Sequence, residues 1–368
     1  LKRILYITAR ADYGGGPEHL YTLAKSLKDE YSLYIACPHD IPYWDEYVAL
    51  LSESRICEIP HRIFSFLNLI KLILFIRTNK IIIIHSHGKG AGIYSRLLKL
   101  CLPYLKVIHT FHGIYYKDKI IFSKRLHLYV EQLFSHFTDF FICVSKGEMA
   151  DAVSLKICAA NRTIVIYNGI EIPTRQDTID LDPSYLDISK DHFIVLHISR
   201  FDYFKNVSLL IDIAEQVGSC DSSIIFLLIG DGPEKSTLEK LASSKRIANI
   251  FFLGFQSRAS RFFSISSLYL STSRKEGLPL SLIESLSMGN PIVATDIPGN
   301  DEIVKHGYNG FLFPLNNPKA AGDYILELKN DPLKLKSLSE GAINSFNAIF
   351  CLKTMLNEYR KIYQGVDV

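Results

Sequence analysis

Apolar residues in this chain come in short unbroken runs, of which Ile81-Ile82-Ile83-Ile84 is the plainest. Between them lie longer stretches whose apolar positions recur every three or four residues. A strand buried on both faces reads as the first pattern, and a helix packed by one face reads as the second. Strands are expected at 2–8, 31–37, 55–59, 80–86, 106–110, 139–144 and 163–167, with helices at about 17–28, 43–53, 65–78, 89–101 and 123–137. The turn formers P-T-R-Q-D-T-I-D-L-D-P-S interrupt the alternation just past residue 172. It then resumes, with strands at 192–199, 223–229, 249–253, 267–271, 291–295 and 310–313. Helices are expected at 206–217, 233–244, 281–288, 317–329, 332–344 and about 350–363. Such alternation implies an α/β fold with parallel sheets covered by helices on both faces. The domains are read as 1–171 and 172–348, and 349–368 is a terminal helix placed where it can cross back to the first domain.

In parallel sheets ligands bind beyond the carboxyl ends of the strands, so polar residues there carry weight. The stretch E-G-L-P-L-S-L-I-E holds two carboxylates, Glu276 and Glu284, with seven residues between them. Ser281 is expected as N-cap, with Glu284 completing a capping box and Glu276 on the preceding loop. The backbone of Gly277, Leu278, Pro279, Leu280 and Ser281 would then border a helix N-terminus whose N–H groups suit a phosphate. Taken alone, the spacing is explained as well by a plain capping box. Arg200 and Lys205 follow the strand at 192–199, and two cations at a strand end suit a diphosphate. Gly230 and Gly232 stand at the next strand end, then Gly254 and Phe255, the latter placed to flank a base. Near the N-terminus, Gly14, Gly15 and Gly16 lie between a strand and a helix that Pro17 opens.

Histidines gather at two strand ends, in H-S-H-G-K-G-A-G from His85 and in H-T-F-H-G from His109 to Gly113. No carboxylate or cysteine completes a metal-ligand pattern, so no metal is assigned. Core hydrogen bonds are the reading for His85 and His109, and a ligand-facing role for His112. Asp180-Leu181-Asp182 is read as linker acidity.

Composition narrows the class. Net charge is +3, with the first 170 residues at +7 and the remainder at −4. A basic first half suits an anionic partner such as a phospholipid surface or a pyrophosphate. The aromatic and basic residues of 114–125 and the apolar stretch 62–77, flanked by Arg62 and Arg77, fit a membrane edge, though 62–77 also reads as a core helix. No nucleic-acid-binding signature is found. Seven cysteines without a C-x-x-C pair, no signal-peptide pattern and no run long enough to span a bilayer set the expectation of a cytoplasmic protein.

Taken together, Gly14–Gly16, H-T-F-H-G, V-S-K-G-E at 144–148, Y-N-G-I at 167–170, S-R-F-D-Y-F-K-N, G-D-G-P, F-L-G-F, E-G-L-P-L-S-L-I-E and G-N-P-I-V-A-T-D stand in one family's order. Over nearly its whole length the chain resembles the retaining glycosyltransferases of family four, which have the GT-B fold. The resemblance implies two Rossmann-like domains facing a central cleft, an acceptor-binding one and a nucleotide-sugar-binding one. It matches Arg200 and Lys205 to a diphosphate-binding pair, Glu276 to the glutamate on donor-sugar hydroxyls and Glu284 to the one on the ribose. It also matches Gly277 to Leu280 to backbone meeting phosphate and sugar, His112 to the sugar site, and Gly15 and Gly16 to the loop over the phosphates. One departure is P-G-N-D-E after Asp296, where many relatives keep paired glycines. H-S-H-G-K-G-A-G looks like members that build bacterial surface polysaccharides, such as the O-antigen of lipopolysaccharide or capsule, on a polyprenyl-diphosphate carrier. The expected activity is transfer of a hexose or N-acetylhexosamine from a nucleoside-diphosphate sugar, a UDP-sugar foremost, to a lipid-linked saccharide, without cofactor or metal. The expected setting is peripheral, on the anionic inner face of the cell membrane. A soluble acceptor and a non-catalytic nucleotide-sugar-binding protein are the alternatives.

Overall fold

The computed structural model describes residues 1–114, 121–172, 189 and 191–365, with the side chains of 121–127 excepted. The aromatic–basic mixture of Tyr115–Arg125 and the Asp180-Leu181-Asp182 acidity therefore lie outside the described side chains. Two compact units are present: residues 1–168 with 355–368, and residues 169–354.

In the first unit the strands are β1 (Arg3–Thr8), β2 (Ser32–Cys37), β3 (Ile56–Glu58), β4 (Ile83–His87), β5 (Lys106–Thr110), β6 (Phe140–Cys143) and β7 (Thr163–Val165). Between them run α1 (Gly15–Leu27), α2 (Tyr43–Leu51), α3 (Phe66–Thr78), α4 (Lys89–Cys101), α5 (Ile121–Ser135) and α6 (Lys146–Ser154). All pairs are parallel and the sheet order is β3-β2-β1-β4-β5-β6-β7. The order reverses between β1 and β4, so a crevice is expected where Thr8 and His87 end those strands. Leu5, Ile7, Ile84 and Val107 of the sheet pack with Leu69, Leu72 and Ile76 of α3 in a fully apolar layer. Ile81 and Ile82, expected inside the fourth strand, precede it. The strand starts at Ile83 and carries both His85 and His87 as buried members.

The second unit holds β8 (Phe193–Ile198), β9 (Ile224–Ile229), β10 (Ile250–Gly254), β11 (Leu268–Ser271), β12 (Ile292–Thr295) and β13 (Gly310–Phe313). Its helices are α7 (Val207–Cys220), α8 (Lys235–Ser244), α9 (Leu280–Ser287), the short α10 (Asn300–Ile303), α11 (Pro318–Asn330) and α12 (Pro332–Ser345). Its parallel sheet has the order β10-β9-β8-β11-β12-β13, reversing between β8 and β11. Ile224–Ile229 is buried throughout, as a strand covered on both faces must be.

The last helix, α13 (Leu352–Gly365), joins the first unit from Met355 onward. Met355, Leu356, Tyr359 and Tyr363 form its buried face. Lys2 Nζ donates to the carbonyls of Tyr363 and Gln364, which satisfies the end of the helix. Arg360 forks onto both oxygens of Glu30 at 2.8 and 2.7 Å. Among the described residues no helix is long and apolar enough to cross a membrane.

Candidate active site

The reversal point of the second sheet gathers most of the residues expected to act. After β8 the chain turns through Arg200 to Asn206. Asp202 Oδ1 accepts the N–H groups of Phe204 and Lys205 at 3.0 and 3.1 Å, which folds the loop onto itself. Asn206, at φ 52 and ψ 47, is buried and ties this loop to the end of β11. Its Nδ2 donates to the Thr272 carbonyl, and its Oδ1 accepts from Arg274 at 2.6 Å. The Arg274 guanidinium lies over the Tyr203 ring at 4.8 Å.

This scaffold brings Lys205 to Glu276. Lys205 Nζ donates to Glu276 Oε1 at 2.6 Å, and Ser273 Oγ donates to the same oxygen at 2.6 Å. Both partners are largely buried. Arg200 behaves differently: its side chain is 61% exposed and its Nε donates to Asp202 Oδ2 at 2.8 Å. The two cations stand at one strand end as the sequence leads one to expect, and each leans on a carboxylate.

The capping box expected at Ser281 does not form. The helix begins one residue earlier, at Leu280, with Pro279 as an extended N-cap and no side-chain cap. Proline sets the turn through its fixed φ of −70°, so Ser281 falls inside the first turn, where its hydroxyl meets Tyr269. Glu284 therefore lies more than a turn into α9 and is half-buried. Tyr269 was not legible as a site residue. Its phenol donates to the Ile198 carbonyl at 2.9 Å, bridging β11 to β8. Burial first, then the nearby Glu276 and Glu284 carboxylates, push its pKa upward, so it stays a neutral donor beside both glutamates.

Glycines explain the close packing around this turn. Gly299, at φ 94, stands where a Cβ would fall 2.7 Å from the Gly277 carbonyl oxygen, so P-G-N-D-E packs directly on E-G-L-P. Asn300 is buried behind it, donating to the Thr295 carbonyl at 3.0 Å. Gly230 and Gly232 act on packing too, since a Cβ on either would strike the backbone of Ser199 or Phe201. Gly254 ends β10, its carbonyl accepting from Gly230 N–H at 2.8 Å, and Phe255 beside it is half exposed.

In the first unit, Gly16 and His112 come together: a Cβ on Gly16 would touch the His112 ring at 3.7 Å. Gly15 is exposed at the start of α1. The V-S-K-G-E motif holds the His112 loop. Ser145 Oγ caps α6 by accepting Glu148 N–H at 3.1 Å, while the Glu148 carboxylate accepts Gly113 N–H at 2.6 Å and Val144 N–H at 2.8 Å. His85 has both ring nitrogens engaged, with Tyr363 at 2.6 Å and Thr110 at 2.7 Å, and His109 bonds Ser86 at 2.9 Å. His87 meets His112 at 3.2 Å, and His19 meets Tyr359 at 3.0 Å. Burial depresses the pKa of all five, His112 to about 4, so they are neutral at neutral pH. His19, His87 and His112 each place a ring nitrogen within 4.8 Å of the others, an arrangement able to hold a metal ion that the sequence pattern did not reveal. A cavity of about 400 Å³ opens beside His87 and His112, with Arg10, Arg62 and Lys89 on its walls.

Comparison with known proteins agrees with both units. The family model described as Glycosyl transferases group 1 matches residues 179–345, and that described as Glycosyltransferase Family 4 matches residues 13–172. An uncharacterized glycosyltransferase of Methanocaldococcus jannaschii is 30% identical over 299 residues, covering 79% of this chain and 78% of that one. The UDP-Gal:alpha-D-GlcNAc-diphosphoundecaprenol alpha-1,3-galactosyltransferase of Escherichia coli is 22% identical over 338 residues, covering 87% of each chain. The solved structure of Anabaena HepE in complex with UDP and glucose superposes with a TM-score of 0.85 at 20% identity, covering 100% of both chains.

Proposed function

We propose that this chain, which belongs to the group 1, family 4 glycosyltransferases, transfers a hexose or N-acetylhexosamine from a UDP-sugar to a lipid-linked saccharide with retention of configuration. The observation that carries the reading is the Lys205–Glu276 pair at the β8/β11 reversal, beside Arg200 and the start of α9. Cleavage of the sugar–phosphate bond leaves negative charge on the β-phosphate. Arg200 offers a fork and Lys205 a point charge, and the α9 N-terminus adds backbone donors to the same place. Donors fixed before the reaction act on this charge without reorganising, so no metal is required. In this account the diphosphate takes the Lys205 ammonium, and Glu276 is then free to accept hydrogen bonds from donor-sugar hydroxyls. Glu284 holds the ribose, Gly277 to Leu280 meet phosphate and sugar by backbone, and Gly254 and Phe255 border the base. In the first unit, Gly15, Gly16 and His112 are assigned to donor phosphate and sugar. The lipid-linked acceptor is supported by the E. coli relative, whose name states a diphosphoundecaprenol-linked acceptor. On this reading the enzyme works at the inner membrane face, in surface-polysaccharide synthesis.

Arg200→Ala and Lys205→Ala test the reading. Loss of one preorganised donor to a developing anion costs about 10²–10³ in kcat. Each variant should lose that much in nucleoside-diphosphate release, measured well below its unfolding midpoint. The midpoint should hold for exposed Arg200→Ala and fall for Lys205→Ala, which leaves Glu276 without its cation. Turnover near that of the wild type in both would remove the diphosphate role.

A further inference from the structure

The outer face of α3 is unusual for a helix in a parallel α/β unit. Its inner residues Leu69, Leu72 and Ile76 are buried in the core. The outer stripe is also apolar: Phe66, Leu67, Ile70 and Leu74 are 67, 78, 47 and 59% exposed. Ile63 and Phe64, just ahead of the helix, extend the patch. Single exposed apolar residues are ordinary, whereas a contiguous stripe marks a surface that meets something. The stripe is held ready rather than loose. Ser65 caps α3, its backbone N–H donates to the Tyr94 hydroxyl at 2.8 Å, and Phe64 packs on the Tyr94 ring at 5.0 Å.

Charge selects the partner. From Ile59 through Lys117 the sequence contains no Asp or Glu, and Arg62, Lys71, Arg77 and Lys80 lie in or beside α3. Lys71 and Arg77 are exposed on the same side as the apolar stripe. A second copy of this chain meeting the face by two-fold symmetry would set these cations against each other. An anionic lipid surface accepts both features: acyl chains take the apolar stripe and headgroups take the cations.

We propose that the outer face of α3, with residues 62–64, docks on an anionic phospholipid bilayer, the helix lying in the plane of the interface. At 13 residues it is about 20 Å long, enough to lie in the interface and too short to span it. Arg62, at the edge of the patch, also lines the cavity with Arg10 and Lys89. The docked face thus carries a cationic cavity next to the lipid surface, where the diphosphate of a lipid-linked acceptor is presented. This deepens the lipid-linked acceptor reading, and the test uses vesicles free of any acceptor so that the two fail separately.

The full chain is sedimented with phosphatidylcholine vesicles and with vesicles containing phosphatidylglycerol, at low and high salt. Wild type should bind the anionic vesicles and release at high salt. Two variants separate the contributions: L67S/I70S/L74S and K71E/R77E. Each should lower the partition coefficient at least about tenfold. The substituted residues are exposed, so the unfolding midpoint should stay put. No wild-type binding, equal binding to neutral vesicles, or indifference to both variants overturns the proposal. So does a wild-type dimer that the triple variant splits while vesicles stay unbound, which assigns the face to a second copy. Vesicle binding without turnover on lipid-linked acceptors would leave the docking face standing and remove only the acceptor reading.

Discussion

Gly299→Ala is the substitution that most sharply separates the site from the scaffold. Gly299 adopts φ 94, and the added Cβ would lie 2.7 Å from the Gly277 carbonyl oxygen and 3.2 Å from its carbon. Holding an alanine at that φ costs about 1–2 kcal/mol. Relieving the overlap by moving backbone costs roughly a further 1–3 kcal/mol. The expected loss is about 2–5 kcal/mol, or a fall in Tm of about 4–20 °C for a unit of this size. Neither carbonyl nor turn can yield without moving Gly277, which adjoins Glu276. A displacement of about 1 Å at a positioning residue lowers rate about 100-fold. Gly307→Ala is the matched control: its φ is 76 and no atom lies within 4 Å of the added Cβ, so strain alone applies. Donor turnover and thermal unfolding are measured for both, well below either midpoint. The account expects about 100-fold loss of turnover for Gly299→Ala and near-wild-type turnover for Gly307→Ala. Equal activity in the two variants would refute the claim that P-G-N-D-E sets the E-G-L-P turn.

Glu148→Gln replaces a carboxylate accepting two backbone N–H groups by an amide able to accept from one and clash with the other. About 2–4 kcal/mol should be lost in urea unfolding, and an unchanged midpoint would sink its role under the His112 loop. Acid should destabilise the fold between about pH 6.5 and 4. The buried histidines have folded pKa values below their unfolded ones, so on acidification the unfolded chain binds protons first and stability falls. His197, buried and lowered to about 4, accounts for roughly 3 kcal/mol of this. Denaturant midpoints that stay flat from pH 7 to 5 would contradict it.

The architecture was legible because its strands are apolar on both faces and its helices on one. Ile224–Ile229 cannot be read as anything but a covered strand. The candidate site was legible as a set of residue types at strand ends, since Arg200, Lys205 and Glu276 follow the two strands flanking the reversal. What failed was local. The Ser281 capping box looked complete, but Pro279 two positions earlier fixed the turn and started the helix first. Helix α6 went unseen because Lys146–Ser154 has little apolar periodicity and forms around the Ser145 cap and the buried Glu148. The terminal helix meets the first sheet through Tyr363 and His85, whose hydrogen bond joins residues 278 positions apart, beyond the reach of any spacing rule. Tyr269 hid inside an ordinary strand pattern, its hydroxyl meaningful only once β8 and β11 are neighbours.

Donor turnover with product analysis tests the central claim most directly. Nucleoside-diphosphate release is followed across UDP- and GDP-sugars in EDTA, with and without a short polyprenyl-diphosphate-sugar acceptor, and the anomeric configuration of the product is read by NMR. The account predicts release from one UDP-sugar, undiminished by EDTA, raised by the lipid-linked acceptor, and a product that keeps the donor's configuration. Donor binding without turnover on any acceptor, abolition by EDTA, or an inverted product would contradict it.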